Sequence, residues 1–361
     1  MNTVAEADSV LALVRELVAI NSANPDTDPS GAGEGAIASF CTDWCRGHSL
    51  VVTDSAEPAG RPSLVAESVE STPGATVLLV GHLDTYSWWH PGPGVSNCLR
   101  GPGVGDMKAG IATILVLLDR FRRTGHPGRL RGVFTSDEEH TSRGLRALLP
   151  SLHGSDVAIV LESTGLQLGI GHAGRVLVVA RLREALDRQR LATSLHHWSR
   201  ITHVRVSVGM RPGGVEFRAE VPSEARARMV AGQLTAIIGQ FAEIDYVHVR
   251  DAFDGRAAKA SGLIETFTAA AETRGLELRP VTLAGWTEAA MLEAAGIPTV
   301  IFGPEAHGAH SRDEWVDPRQ VVVSLEVVAA ALPALLVGHV RAEMQTTDPS
   351  FDRPPPRGVQ R

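Results

Sequence analysis

Seven side chains in this sequence are of the types, and stand in the settings, that metal-assisted hydrolysis requires: His82, Asp84, Asp106, Glu138, Glu139, Glu162 and His310. Hydrolysis on a pair of ions needs imidazole and carboxylate ligands, one carboxylate able to bridge, and another left free to carry protons. In GHLDT, strand alternation sends His82 and Asp84 to the same side, so Asp84 can brace the second ring nitrogen of His82. Asp106 is the only acid in RGPGVGDMKAG, where four glycines let the backbone approach an ion without Cβ clashes. Glu138 and Glu139 end a β-rich run. Adjacent residues on an extended chain face opposite ways, so one can bind an ion while the other serves as proton carrier.

Each fragment also has an ordinary explanation. A His-x-Asp pair often caps a surface strand, a Glu pair in a loop is usually solvated, and a Gly-rich turn before a helix can hold phosphate. The phosphate reading fails here, because Ala109 rather than Ser or Thr follows Lys108 and Asp106 stands where the anion would sit. Placement weighs against the others: GHLD follows TVLLV, SDEE follows GVFT and EST follows AIVL. Functional groups gather just past the carboxyl ends of parallel strands.

The elements that must position these groups alternate between residues 76 and 170 as strand, helix, strand, helix, strand, which predicts an α/β sheet with parallel members. From 174 to 253 the pattern is β-α-β-β-α-β, suited to a compact inserted unit. A helix near 258–274, the strand IPTVIFG and a long helix from about 318 then resume the first style. The expected fold is α/β: a catalytic domain with a mainly parallel sheet flanked by helices, plus a small inserted α+β lid domain. The expected divisions are 1–173 and 254–345 for the discontinuous catalytic domain, 174–253 for the inserted lid or dimerisation domain, and 346–361 (TTDPSFDRPPPRGVQR) as a disordered tail.

With 361 residues, 43% of them hydrophobic, and a net charge of -7, the chain has ample core and no basic run to suit a nucleic acid. The first twenty residues read as an amphipathic helix without a basic leader, and no uncharged apolar stretch reaches the ~18 residues of a membrane span. Three oddly spaced cysteines, Cys41, Cys45 and Cys98, fit a reducing, cytoplasmic setting. Cys41 and Cys45 read as small core residues.

The strings GHLDT, GPGVGDMKAG, SDEEHTSRG, LESTG and FGPEAHGAHSRDEWV occur in that order. The chain in this respect resembles the co-catalytic zinc hydrolase family of acetylornithine deacetylase, succinyl-diaminopimelate desuccinylase, aminoacylase and glutamate carboxypeptidase, over nearly its whole folded length. The resemblance implies that His82 and Glu162 hold one metal, Glu139 and His310 the other, and Asp106 bridges both. It implies Glu138 as general base, Asp84 as the buried orienter of His82, and His310 rather than His307 or His172 as the last ligand. Two divalent ions are implied, zinc first, with cobalt and manganese also suited to imidazole and carboxylate. The implied reaction is cleavage of the amide of a small N-acyl amino acid. The rivals are a metallocarboxypeptidase or dipeptidase on the same scaffold and a catalytically silent metal-binding homologue. The implied partner is a small-molecule substrate, an acylated amino acid or small peptide. Homodimer formation stays an open expectation, because the lid that pairs subunits in the resembled enzymes is the part that differs here.

That lid is short, and it lacks the histidine that in the resembled enzymes reaches across to a partner's site. His196, His197 and His203 are the nearest substitutes in sequence. Glu216-Phe217-Arg218 stands for an Asp-x-Arg, so Arg218 either meets a substrate carboxylate or pairs with Glu216. Trp88 and Trp89, beside His90, can wall an apolar group, and Trp286 and Thr287 lie in a loop of the kind that approaches the site in the resembled deacylases.

Overall fold

The computed structural model describes residues 3–55, 60–68, 72–90, 97–183, 187–211, 214–221 and 224–338. The tail expected at 346–361 lies outside them. The organising element is an eight-stranded sheet in the order Val51–Ser55, Ser63–Glu67, Arg129–Thr135, Thr76–His82, Val157–Val160, Thr299–Ile301, Leu168–His172 and Pro280–Leu283. Its four central strands run parallel. TVLLVGH shows why: all but its first residue are buried, as a strand covered on both faces requires. The two strands at one edge are antiparallel, an arrangement the sequence pattern did not reveal.

Helices cover both faces. Ala109–Thr124 is almost wholly apolar through Leu118, and packs with Thr3–Val18 and Pro318–Val337 over one side. Pro318–Val337 starts cleanly, with Asp317 accepting from the Arg319 amide at 2.8 Å and proline in the first turn. At 20 residues and mean hydropathy 2.1 it is long and apolar enough to cross a membrane, but Glu326 in its middle pairs with Arg274 at 3.2 Å and Arg120 at 3.8 Å, and ten of its residues are buried. The single helix expected near 258–274 is two, Arg256–Ala260 and Leu263–Glu272, divided where Gly262 takes φ +73°.

Residues 174–250 form a second, antiparallel sheet in the order Ala242–Arg250, Gly174–Leu182, Gly214–Val221, Val206–Arg211. The helices Asp187–Thr202 and Glu224–Ile238 complete the β-α-β-β-α-β order. This unit has its own apolar cluster, built on Val178, Phe217, Val230 and Leu234. The chain crosses between the two sheets at His172 and Phe253, which exchange backbone hydrogen bonds of 2.9 and 3.1 Å.

Candidate metal centre

Three parallel strands deliver their ends to one edge of the large sheet. His82 closes Thr76–His82, Glu138 and Glu139 follow Arg129–Thr135 by three and four residues, and Glu162 follows Val157–Val160 by two. Asp106 lies in the turn Val104–Lys108 that opens the helix Ala109–Thr124, and its peptide bond to Met107 is cis. His310 comes from the loop after the short strand Ala306–His307, with a left-handed φ of 65°.

These ends converge. His82 Nε2 lies 3.0 Å from Asp106 Oδ1 and 3.1 Å from Glu162 Oε1, while His310 Nε2 lies 2.9 Å from Asp106 Oδ2 and 3.2 Å from Glu139 Oε2. Two ligand-type triads result, His82, Asp106 and Glu162 on one side and Asp106, Glu139 and His310 on the other, each with its atoms within 4.8 Å of one another. The Asp106 carboxylate belongs to both, one oxygen to each histidine. His307 takes no part: its ring stacks on Trp315 at 3.9 Å and faces Glu305. His172 is buried against Thr287, with Nε2 3.1 Å from the Thr287 carbonyl.

Asp84 works differently from the sequence expectation. The hydrogen bond from His82 Nδ1 goes to the Asp84 backbone carbonyl at 2.8 Å, and the carboxylate stands 3.7 Å away. The carboxylate instead accepts the amides of Glu138 and Glu139, at 3.0 Å each, and Asn24 Nδ2 at 2.8 Å. Asp84 therefore orients the glutamate pair through its side chain and the imidazole through its main chain.

Further polar residues, invisible to motif reading, hold the loops. Glu314 is buried and accepts the amides of Gly103 (2.9 Å), Gly105 (2.9 Å) and Asp106 (3.1 Å), shaping the turn that presents Asp106. Glu34 and Arg61 form a two-bond ion pair behind Asp137, whose amide donates to Glu34 at 3.0 Å and whose φ is 65°. Glu288 lies buried beneath the site, hydrogen-bonded to Thr135 at 2.7 Å. Arg250 arrives from the second sheet, with Nη1 3.6 Å from Glu138 Oε1.

The electrostatics are those of crowded acids. Burial, then the Asp106 charge, pushes Glu139 up to about 8, and the same two causes raise Glu162. Burial raises Glu138 as well, opposed by Arg250 and His82. Burial works against a charged His310, yet hydrogen bonds to Asp106 and Glu139 hold it up at about 11; His82 is likewise held well above its ordinary value by Asp106 and Glu162. Such a donor set fits divalent cations. With Nδ1 of His82 committed to a carbonyl, Nε2 is the atom that faces the carboxylates, and one oxygen of Glu139 is buried without a hydrogen-bond partner.

The other sequence candidates have varied surroundings. Arg218 pairs with Glu216 at 2.5 Å and is largely exposed, and His196, His197 and His203 are exposed. Trp88 is half-buried, with Lys108 Nζ 5.7 Å from its ring centre. Trp286 is buried under Arg250, 4.3 Å from ring centre to guanidinium carbon.

A parallel-centred α/β sheet with acids and imidazoles converging at its strand ends is the setting of a divalent-metal site. The chain belongs to peptidase family M20/M25/M40, whose model matches residues 78–334. It is similar to a Mycobacterium tuberculosis protein carrying the provisional name succinyl-diaminopimelate desuccinylase DapE, with 29% identity over 287 residues, 70% of this chain and 80% of that one. Among solved structures, human carnosine dipeptidase 1 superposes with TM-score 0.72 at 15% identity, covering 92% of this chain and 98% of that one. The Bacillus subtilis YXEP protein, described as a dinuclear metal binding peptidase of the M20 family, gives TM-score 0.66 at 13% identity, covering 92% and 99%.

Proposed function

We propose that the protein is a two-metal deacylase that cleaves the amide of a small N-acyl amino acid, with His82 and Glu162 on one ion, Glu139 and His310 on the other, and Asp106 bridging. The observation that carries this reading is the Asp106 carboxylate shared between two triads with Glu138 buried beside them. Two bound divalent cations would polarise the scissile carbonyl and acidify a water. Glu138 would take a proton from the attacking water and pass it to the departing amine: its carboxyl is buried and raised in pKa, and its main-chain amide is fixed by donating to the Asp84 carboxylate at 3.0 Å. Asp84, through its carbonyl, keeps His82 in the tautomer that leaves Nε2 for the ion.

The acyl-amino-acid substrate is favoured by the desuccinylase name of the mycobacterial relative, of which the chain covers 80%. A dipeptidase or carboxypeptidase reading is favoured by the likeness in fold to carnosine dipeptidase. A panel of N-acetyl and N-succinyl amino acids, N-acyl-glutamates and dipeptides, run on protein loaded with zinc, cobalt or manganese, separates them. We expect the acyl amino acids to turn over fastest and zinc to serve. Glu138→Gln is expected to keep its metal and lose about 10²- to 10⁴-fold in turnover, the usual contribution of a positioned base. Undiminished turnover would overturn the assignment, and a wild-type protein that binds metal but turns over no member of the panel would favour the silent homologue. We also read residues 174–253 as an inserted lid or dimerisation domain, on the ground of their separate sheet and core. A cytoplasmic setting is supported by three free cysteines.

A further inference from the structure

The peptide groups of residues 138–140 are fastened from two sides. On the side of the large sheet, the Asp84 carboxylate takes the amides of Glu138 and Glu139 at 3.0 Å. On the other side Arg250, last residue of the strand Ala242–Arg250 in the second sheet, donates from Nη2 to the carbonyls of Glu138 at 2.5 Å and His140 at 2.7 Å. The guanidinium is itself braced. It lies over the Trp286 ring at 4.3 Å, and Trp286 Nε1 donates to the Asp251 carbonyl at 2.8 Å, tying the supporting ring to the residue next to Arg250. Two residues further on, the backbone pair of His172 and Phe253 pins the crossing strand to the large sheet.

We propose that Arg250 is a positioning residue for the reaction: it reaches from the second sheet to set the backbone from which Glu138 and Glu139 diverge, one toward proton transfer and the other toward an ion. The proposal rests on the roles given to those two glutamates above. Arginine suits the task because Nη2 alone meets both carbonyls, Nη1 lies 3.6 Å from the Glu138 carboxylate and the guanidinium face lies on an indole; a lysine offers a point charge and no such plane. Asp84 holds the amides independently of Arg250. Losing Arg250 therefore leaves Glu139 as a ligand but lets the carbonyl side of the loop drift.

The test compares Arg250→Ala, Arg250→Gln and Arg250→Lys with wild type and Glu138→Gln. Arg250→Ala is expected to lower kcat by about 10- to 100-fold, the cost of a roughly 1 Å misplacement, with KM changed by less than about threefold. Metal content per chain and melting temperature are expected to stay near wild type, and Arg250→Lys to recover part of kcat. A readout independent of turnover is amide exchange of the metal-free protein, where residues 138–141 are expected to exchange at least about tenfold faster in Arg250→Ala. Unchanged exchange and kcat would overturn the proposal, as would equal losses in all three Arg250 variants accompanied by loss of metal. If Arg250→Ala fails to fold, Arg250→Gln, which keeps a donor and part of the stem, decides by the same measurements. An active Glu138→Gln would bring down the function reading alone, leaving the exchange result to decide whether Arg250 sets the loop.

Discussion

Asp106 gives one oxygen to His82 and the other to His310, so its removal differs in kind from removal of an outer ligand. In Asp106→Ala, metal content measured by emission spectroscopy after dialysis is expected to fall below about one ion per chain, whereas His310→Ala is expected to keep about one. At this scale residue type was legible: His82, Glu138, Glu139 and Glu162 stand at or just beyond the ends of β-rich runs, whereas Asp106 stands in a glycine-rich turn and His310 in a loop that only the family resemblance singled out. Their supports were not. Glu314 reaches Gly105 across 209 positions and Asp84 reaches Glu138 across 54, and no local pattern encodes such pairings. The use of Asp84 was misread for the same reason. The spacing of GHLDT fixes which side the residue faces, while its partners come from a different strand end.

Among the elements, the parallel core was readable because buried central strands are continuous apolar runs, as in TVLLVGH. The edge strands Val51–Ser55 and Ser63–Glu67 were missed, since short mixed segments carry little periodicity. Packing between elements bears directly on the site. A Cβ on Gly110 would meet the Leu161 carbonyl oxygen at 2.2 Å, pressing the helix Ala109–Thr124 against the segment that carries Glu162. Gly110→Ala is accordingly expected to cost about 1–3 kcal/mol in chemical denaturation, as overpacking does. His172, where the chain leaves the large sheet, gives a pH signature. Burial holds its imidazole down at about 4, against an ordinary 6.5. Between those values the unfolded chain takes up a proton that the fold refuses, so this contribution to stability is complete above about pH 6.5 and drains away as the pH falls toward 4. The melting temperature of metal-free protein is expected to drop across that window, and to drop less in His172→Gln.

For the whole molecule, the large sheet has an apolar cluster on each face, one around Leu79, Ile114 and Leu332 and one around Leu78, Val133 and Leu145, and the second sheet has its own around Val178, Phe217 and Leu234. The β-α-β-β-α-β order of the second was legible in the sequence, because β-rich runs, of which Gly214–Val221 alternates cleanly, are interleaved with helical stretches. Calorimetry is expected to resolve two heat-absorption steps. A chelator is expected to lower the one belonging to the large sheet, which carries the proposed ligands, while Phe217→Ala, a loss of about 3–5 kcal/mol, lowers the other. The join between the sheets has its own consequence. Because His172 and Phe253 abut as a bonded pair, the intervening segment is a loop outgrowth on a closed hairpin-like neck. An appendage with abutting roots can be enlarged, trimmed or traded for another without rethreading the strands beneath it, so this neck is where the architecture best tolerates changes of length.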